Sequence, residues 1–113
     1  MKIRNKTSGL FVSENAVMAE SFFSRLFGLI PRKSLKEGEC LVLTRCAMIH
    51  TCFMRFPIDA VFISGDLRVV GVLEKMSPWK FSRYYKGAFY TAEFAAGFAK
   101  NRFEEGDEVE FSD

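Results

Sequence analysis

The sequence predicts a mainly β domain of α+β type, a compact β-sandwich or partly closed barrel with one main helix packed against it. Three observations carry that expectation. Short apolar runs bounded by turn residues recur along the chain, as strands do. One stretch, "AESFFSRLFGLIPRKSL", changes to helical spacing. The closing "EEGDEVEF" alternates cleanly, with Val109 and Phe111 on one side and Glu108 and Glu110 on the other.

In chain order, residues 2–4 and 9–12 predict a first hairpin. Phe22, Phe23, Leu26, Phe27 and Ile30 then fall on one helix face, with Glu20 or Ser21 near the start. Pro31 ends the run, because its ring removes a donor and crowds the preceding turn. Strands are expected at 40–45, 47–54, 58–64 and 68–75. The second and third would form a hairpin around Arg55-Phe56-Pro57, and Ser64-Gly65-Asp66 supplies the next turn. Ser77 to Gly87, "SPWKFSRYYKG", loses all periodicity and mixes four aromatics with Lys80, Arg83 and Lys86. It reads as a long ordered loop, with Trp79 at least partly covered. A strand at 88–94, a helical turn in "AAGFAKN" and the final alternating strand complete the chain. There is no repeat or linker, so residues 1–113 are expected to be a single domain.

Composition excludes several classes. Thirteen phenylalanines in 113 residues supply ample core without metal or disulfide staples. Sixteen basic against fourteen acidic residues leave the chain near neutral, and the cations are scattered along it, so nucleic acid is not expected as a partner. No apolar run is long enough for a membrane span or a secretion signal; no membrane association is expected, and the location reads as cytoplasmic. Cys40, Cys46 and Cys52 are an odd set with no paired spacing, which fits free thiols in a reducing compartment. A monomer or weak homo-oligomer is expected.

The chemistry-bearing residues concentrate in "AMIHTCFMRFPIDAVFI", Ala47 to Ile63. On a strand, Met48, His50, Cys52 and Met54 share one face. All four are ligands a soft metal accepts. Same-face neighbours stand about 6.5–7 Å apart, however, so one ion would reach only two of them. They read as a core stripe, and no metal or cofactor is expected. Asp59 sits among apolar residues, and Glu93 repeats that anomaly in "AFYTAEFAAG". Such a pair either works as acid and base, or one accepts backbone N–H groups while the other faces solvent. With a three-residue loop at 55–57, His50 and Asp59 face opposite ways; with a four-residue loop at 55–58 they share a face. Phosphate-cradling loops, G-x-S-x-G and the metalloprotease helix are missing.

The order of motifs resembles a family of small bacterial and archaeal proteins, domain of unknown function 192. "SRLFGLIPRKSL" is similar to its R-x-x-G-L-M-x-R-x-x-L segment at Arg25, Gly28, Leu29, Ile30, Arg32 and Leu35. "IHTCFMRFPIDAVFI" resembles the central motif at Pro57, Ile58, Asp59 and Phe62. "RVVGV", "AEFAAG" and "FEEGDEV" follow in the family's order. The commonest form has Trp-Met where this chain has His50-Thr51, so it resembles an Ile-His-Thr branch. Ile30 and Phe94 also depart from the pattern. The resemblance implies a compact, mostly β domain with one helix, and implies no activity; members are sometimes exported.

Three functions follow as expectations. The first is a ligand-binding or accessory domain, whose pocket is framed by the 47–63 hairpin, Glu93 and the 77–87 loop and includes His50, Thr51, Met54, Asp59, Glu93 and Trp79. Its partner would be a small molecule or a protein. The second is a hydrolase-like enzyme using Asp59 or Glu93 with His50. The third is a protein-interaction module using the aromatic loop.

Overall fold

The computed structural model describes residues 1–19 and 32–113. Among these lie eight strands: β1 (Lys2–Asn5), β2 (Leu10–Ser13), β3 (Asn15–Ala19), β4 (Glu39–Thr44), β5 (Ile58–Ser64), β6 (Val69–Met76), β7 (Ala88–Ala95) and β8 (Val109–Ser112). They form a three-stranded sheet, β2-β1-β8, and a five-stranded sheet, β3-β4-β7-β5-β6. The mainly β expectation holds, and the described strands form two sheets rather than a closed barrel. The helix expected at 20–30 lies outside the described residues. Within them no helix occurs, and none is long and apolar enough to cross a membrane.

Alternation gives the five-stranded sheet two buried faces. One carries Val42, Ala92, Phe94, Val61 and Ile63 and packs on Ile3, Val12 and Val109 of the smaller sheet and on Phe98 and Phe103. The other carries Leu43, Ala60 and Phe62 beneath Ile49, Met54 and Tyr85 from the long connections. That double burial is why β5 reads as a continuous apolar run. The sheets are stitched along one edge, where Val69 N donates to Asp107 O at 2.8 Å and Val109 N to Leu67 O at 2.8 Å.

One strand was not anticipated and one expectation needs correction. "NAVMA" forms β3, paired in parallel with β4 from Asn15↔Glu39 to Ala19↔Leu43. Its alanines and methionine carry little β preference of their own, so the pairing decides. Residues 47–54 are not a strand in a hairpin with 58–64. β5 lies between β7 and β6, so both of its edges are already paired. The 47–54 segment pairs instead with 79–85: Ser82 N donates to Ile49 O, Thr51 N to Lys80 O and Tyr85 N to Ala47 O, around a His50↔Phe81 bridge. Neither loop register considered for the hairpin exists.

Gly71, in β6, marks a close approach. A Cβ there would lie 2.3 Å from Tyr85 Cε1. The Tyr85 ring is buried and stacks on Phe62 at 3.8 Å between centroids. Gly71→Ala is expected to destabilise by about 1–3 kcal/mol through overpacking. Denaturant melts check this. In a Tyr85→Ala background, the same substitution should cost clearly less.

Candidate functional site

The predicted site residues divide between two places. His50, Thr51, Met54 and Trp79 belong to the irregular ribbon formed by 47–54 and 79–85. Thr51 locks it: wholly buried, its hydroxyl donates to Ser77 O at 2.6 Å and accepts from Lys80 N at 3.0 Å. Its carbonyl accepts from Trp79 N at 3.0 Å and Met54 N at 3.1 Å. His50 is half-buried, with its ring 5.8 Å from that of Phe81. Its Nδ1 accepts from Cys52 N at 3.2 Å, so the neutral ring carries its proton on Nε2.

The stripe of alternating side chains is real in part, but it faces outward. Met48 is exposed and His50 and Cys52 are half-buried, while Ile49 and Thr51 point in. Met54 leaves the stripe for the core because the chain turns at Cys52-Phe53, where Phe53 adopts φ +67°. The expected core stripe is therefore mostly a surface. Phe53, Trp79, Phe81 and Tyr84 are each between 60% and 69% exposed. Trp79 has φ +66°, and its ring stands 4.6 Å from Phe53, which gives it partial cover. Two bulky aromatics side by side in the left-handed region is uncommon.

Asp59 and Glu93 stand on neighbouring strands, β5 and β7. In the ladder Asp59 pairs with Phe94 and Ala60 with Glu93, so the two carboxylates lie on opposite faces. Asp59 is wholly buried on the face toward the smaller sheet. Its Oδ1 accepts from Lys75 N at 2.8 Å and its Oδ2 from Ala99 N at 2.8 Å. Lys75 belongs to a bulge: Ile58 pairs with Met76 and Ala60 with Leu73, leaving Glu74 and Lys75 opposite Asp59 alone. His50 belongs to the ribbon over the other face, so the sheet separates it from Asp59.

Glu93 lies on the ribbon side of the sheet, between Leu41 and Ala60. It is buried, and burial pushes its carboxyl up to about 8. Burial, and next the charge of Glu93, push the Cys40 thiol well up. Among the described residues, no three His, Cys, Asp or Glu side chains gather as a metal site would require.

The sequence reading named the aromatics of the 77–87 loop as a contact surface but did not join the exposed Met48 and Phe53 to them. The available signal was charge. Residues 45–57 and 75–87 contain Arg45, Arg55, Lys75, Lys80, Arg83 and Lys86 and no Asp or Glu. All six cations are exposed. The ion pairs among the described residues lie elsewhere, on Lys6, Arg32, Arg68 and Arg102. Beside this region runs a groove of about 430 Å³, lined in part by Leu73, Lys75, Met76, Phe81, Arg83 and Tyr85.

The chain belongs to the uncharacterised ACR family, domain of unknown function 192, whose model matches residues 3–111. It is similar to the UPF0127 protein of Thermococcus sibiricus, 32% identical over 95% of this chain and 72% of that protein. A UPF0127 protein of Pyrococcus furiosus is also 32% identical, over 96% of each. The fold matches a crystal structure of a protein of unknown function from Novosphingobium aromaticivorans, with TM-score 0.87 and 22% identity over 98% of this chain and 84% of that one.

Two predictions follow from the carboxylates. Asp59→Ala leaves two buried N–H donors unpaired and should cost about 1–3 kcal/mol for each, whereas Asp59→Asn keeps one acceptor and should cost less. Denaturant melts of both variants test this. For Glu93 the folded value lies above the ordinary carboxyl value of 4.5. The folded state therefore holds a proton that the unfolded chain releases, and stability falls as pH rises from about 4.5 through about 8. Glu93→Gln should flatten that decline, gaining most over the parent above pH 8 and least near pH 5, in melts across that range.

Proposed function

We propose that the protein is a binding domain without its own catalysis, which recognises a protein partner through the outward face of the ribbon. The observation that carries this is four aromatics of the ribbon, Phe53, Trp79, Phe81 and Tyr84, each at least 60% exposed, with exposed cations between them in the sequence. Large apolar side chains gathered on a small domain are expensive in water and mark contact surfaces. Holding Phe53 and Trp79 at positive φ costs about 1–2 kcal/mol per residue, so the fold maintains that display against a local penalty. Aromatics with arginine at the margin are the residue types that dominate interface energetics.

This reading gives the sequence-predicted residues separate tasks. Trp79 belongs to the contact face and His50 borders it, Thr51 and Met54 anchor the ribbon beneath it, and Asp59 steadies β6, from which the ribbon departs. Against an acid–base enzyme stand the separation of Asp59 from Glu93 and the engagement of His50 Nδ1 with a backbone N–H.

The test is peptide display selected on the immobilised parent and counter-selected on the Trp79→Ala, Phe81→Ala double variant. Both side chains are exposed, so the variant should melt within about 0.5 kcal/mol of the parent. Peptides that bind the parent and lose at least about tenfold on the variant are expected. Failure to enrich any such peptide, with both proteins folded, would remove the proposal.

A further inference from the structure

β6 is the last strand of its sheet. Its start is covered, because Val69 bonds to Asp107 and Gly106. From Val70 to Met76, no described strand pairs with its outer side. A bare edge of this kind is a template for another extended chain. The groove of about 430 Å³ runs alongside it, with Leu73, Met76 and Tyr85 offering apolar surface and Phe81 on the far wall. Strand addition draws affinity from backbone hydrogen bonds and specificity from pockets for alternate side chains. Here an edge and a pocket lie together.

The charge around the groove selects the occupant. Lys75, Lys80 and Arg83 line it against the single carboxylate of Glu74. All three cations are exposed, and the described residues offer them no carboxylate ion pair. Arg83 is held over the Tyr85 ring at 4.0 Å, which fixes its guanidinium at the groove wall.

We infer that the partner segment is an extended, acidic peptide that adds as a strand to the free edge of β6 and seats an apolar side chain in the groove beside Leu73 and Phe81. This deepens the proposed function and rests on it. A single-stranded nucleic acid would also meet cations and aromatics here, but it has no use for an unpaired strand edge. A second copy of the chain would bring the same excess of cations, Lys75, Lys80 and Arg83 over Glu74, to both sides of the seam.

The probe is a pool of peptides about ten residues long, long enough to span the edge at about 3.3 Å per residue, alternating Asp or Glu with Phe, Leu, Val or Ile. Matched pools carry Lys for the acids, or N-methyl groups that remove the backbone donors; oligo(dT) is a further arm. Amide NMR and hydrogen exchange on the isotope-labelled protein provide the readout. The acidic pool should protect amides within Val70–Met76, and the Lys and N-methyl pools should bind at least about tenfold more weakly. The Lys80→Glu, Arg83→Glu double variant should lose acidic peptide by a similar factor while melting like the parent. Ribbon-dependent peptides from display that are neutral or basic, or that leave the β6 amides unprotected, would overturn this inference while sparing the proposed function. Tighter binding of oligo(dT), or a concentration-dependent dimer protecting the same amides, would also overturn it.

Discussion

The carboxylate of Asp59 is the fixed point on which the rest of the molecule depends. An unpaired charge at that depth would be too costly to keep, so its two backbone hydrogen bonds are obligatory. Each of them holds a different part of the fold. The bond from Lys75 N stabilises a bulge in which Lys75 takes φ +52°, and so sets where β6 bends before the ribbon begins. The bond from Ala99 N pins the turn after β7. That turn places Phe98 and Phe103 against Phe94, at 5.2 and 5.5 Å between ring centroids. Arg102 O, from the same turn, accepts from Asn5 Nδ2 at 2.7 Å, and Asn5 belongs to the smaller sheet. One side chain thus couples both sheets to the start of the contact surface.

Thr51 does the equivalent work above the sheet. The ribbon has no regular ladder, and its backbone groups must still be satisfied. A buried hydroxyl that donates to Ser77 O and accepts from Lys80 N ties the two halves together. With that tie in place, the inward residues fill the core and the outward ones have nothing to cover them. The exposure of Phe81 and Trp79 is thus a consequence of the anchoring beneath them. A surface held by buried hydrogen bonds and one stacked tyrosine is preorganised, which lowers the ordering cost of binding.

The strands with clear alternation or clear turn boundaries were legible: β5, β6, β7 and β8 lie within a residue or two of their expected positions, and the Ser64-Gly65-Asp66 turn joins β5 to β6. Asp59 was legible as a structural acceptor because a carboxylate in an apolar run has few other stable states. Its partners were not, since Lys75 and Ala99 are 16 and 40 residues away and no local pattern encodes a bulge. The 47–54 segment misled for a related reason. Period-2 alternation indicates which side chains share a face, but whether that face is core or solvent depends on which strand pairs with it. Since β5 is taken on both sides, the segment found a partner in 79–85, and the stripe from Met48 to Cys52 turned outward. Likewise β3 is set by its parallel neighbour rather than by its own composition.

The two edges of the larger sheet show how the same physics separates protection from recognition. β3, at one end, is five residues long, too short to template much pairing, and its exposed Val17 stands alone. β6, at the other end, is eight residues long with an apolar groove beside it, which by itself would invite indiscriminate pairing. Its defences are the bulge at Lys75, which twists the edge, and the cations Lys75, Lys80 and Arg83 around the groove, which no carboxylate among the described residues pairs. Like charges oppose a second copy of this chain, and twist opposes a flat aggregating strand. Neither opposes a short segment of opposite charge that can follow the bend. Excluding the wrong neighbours by charge rather than by covering the edge leaves that edge available, and the preference for an acidic segment follows from how the exclusion is made.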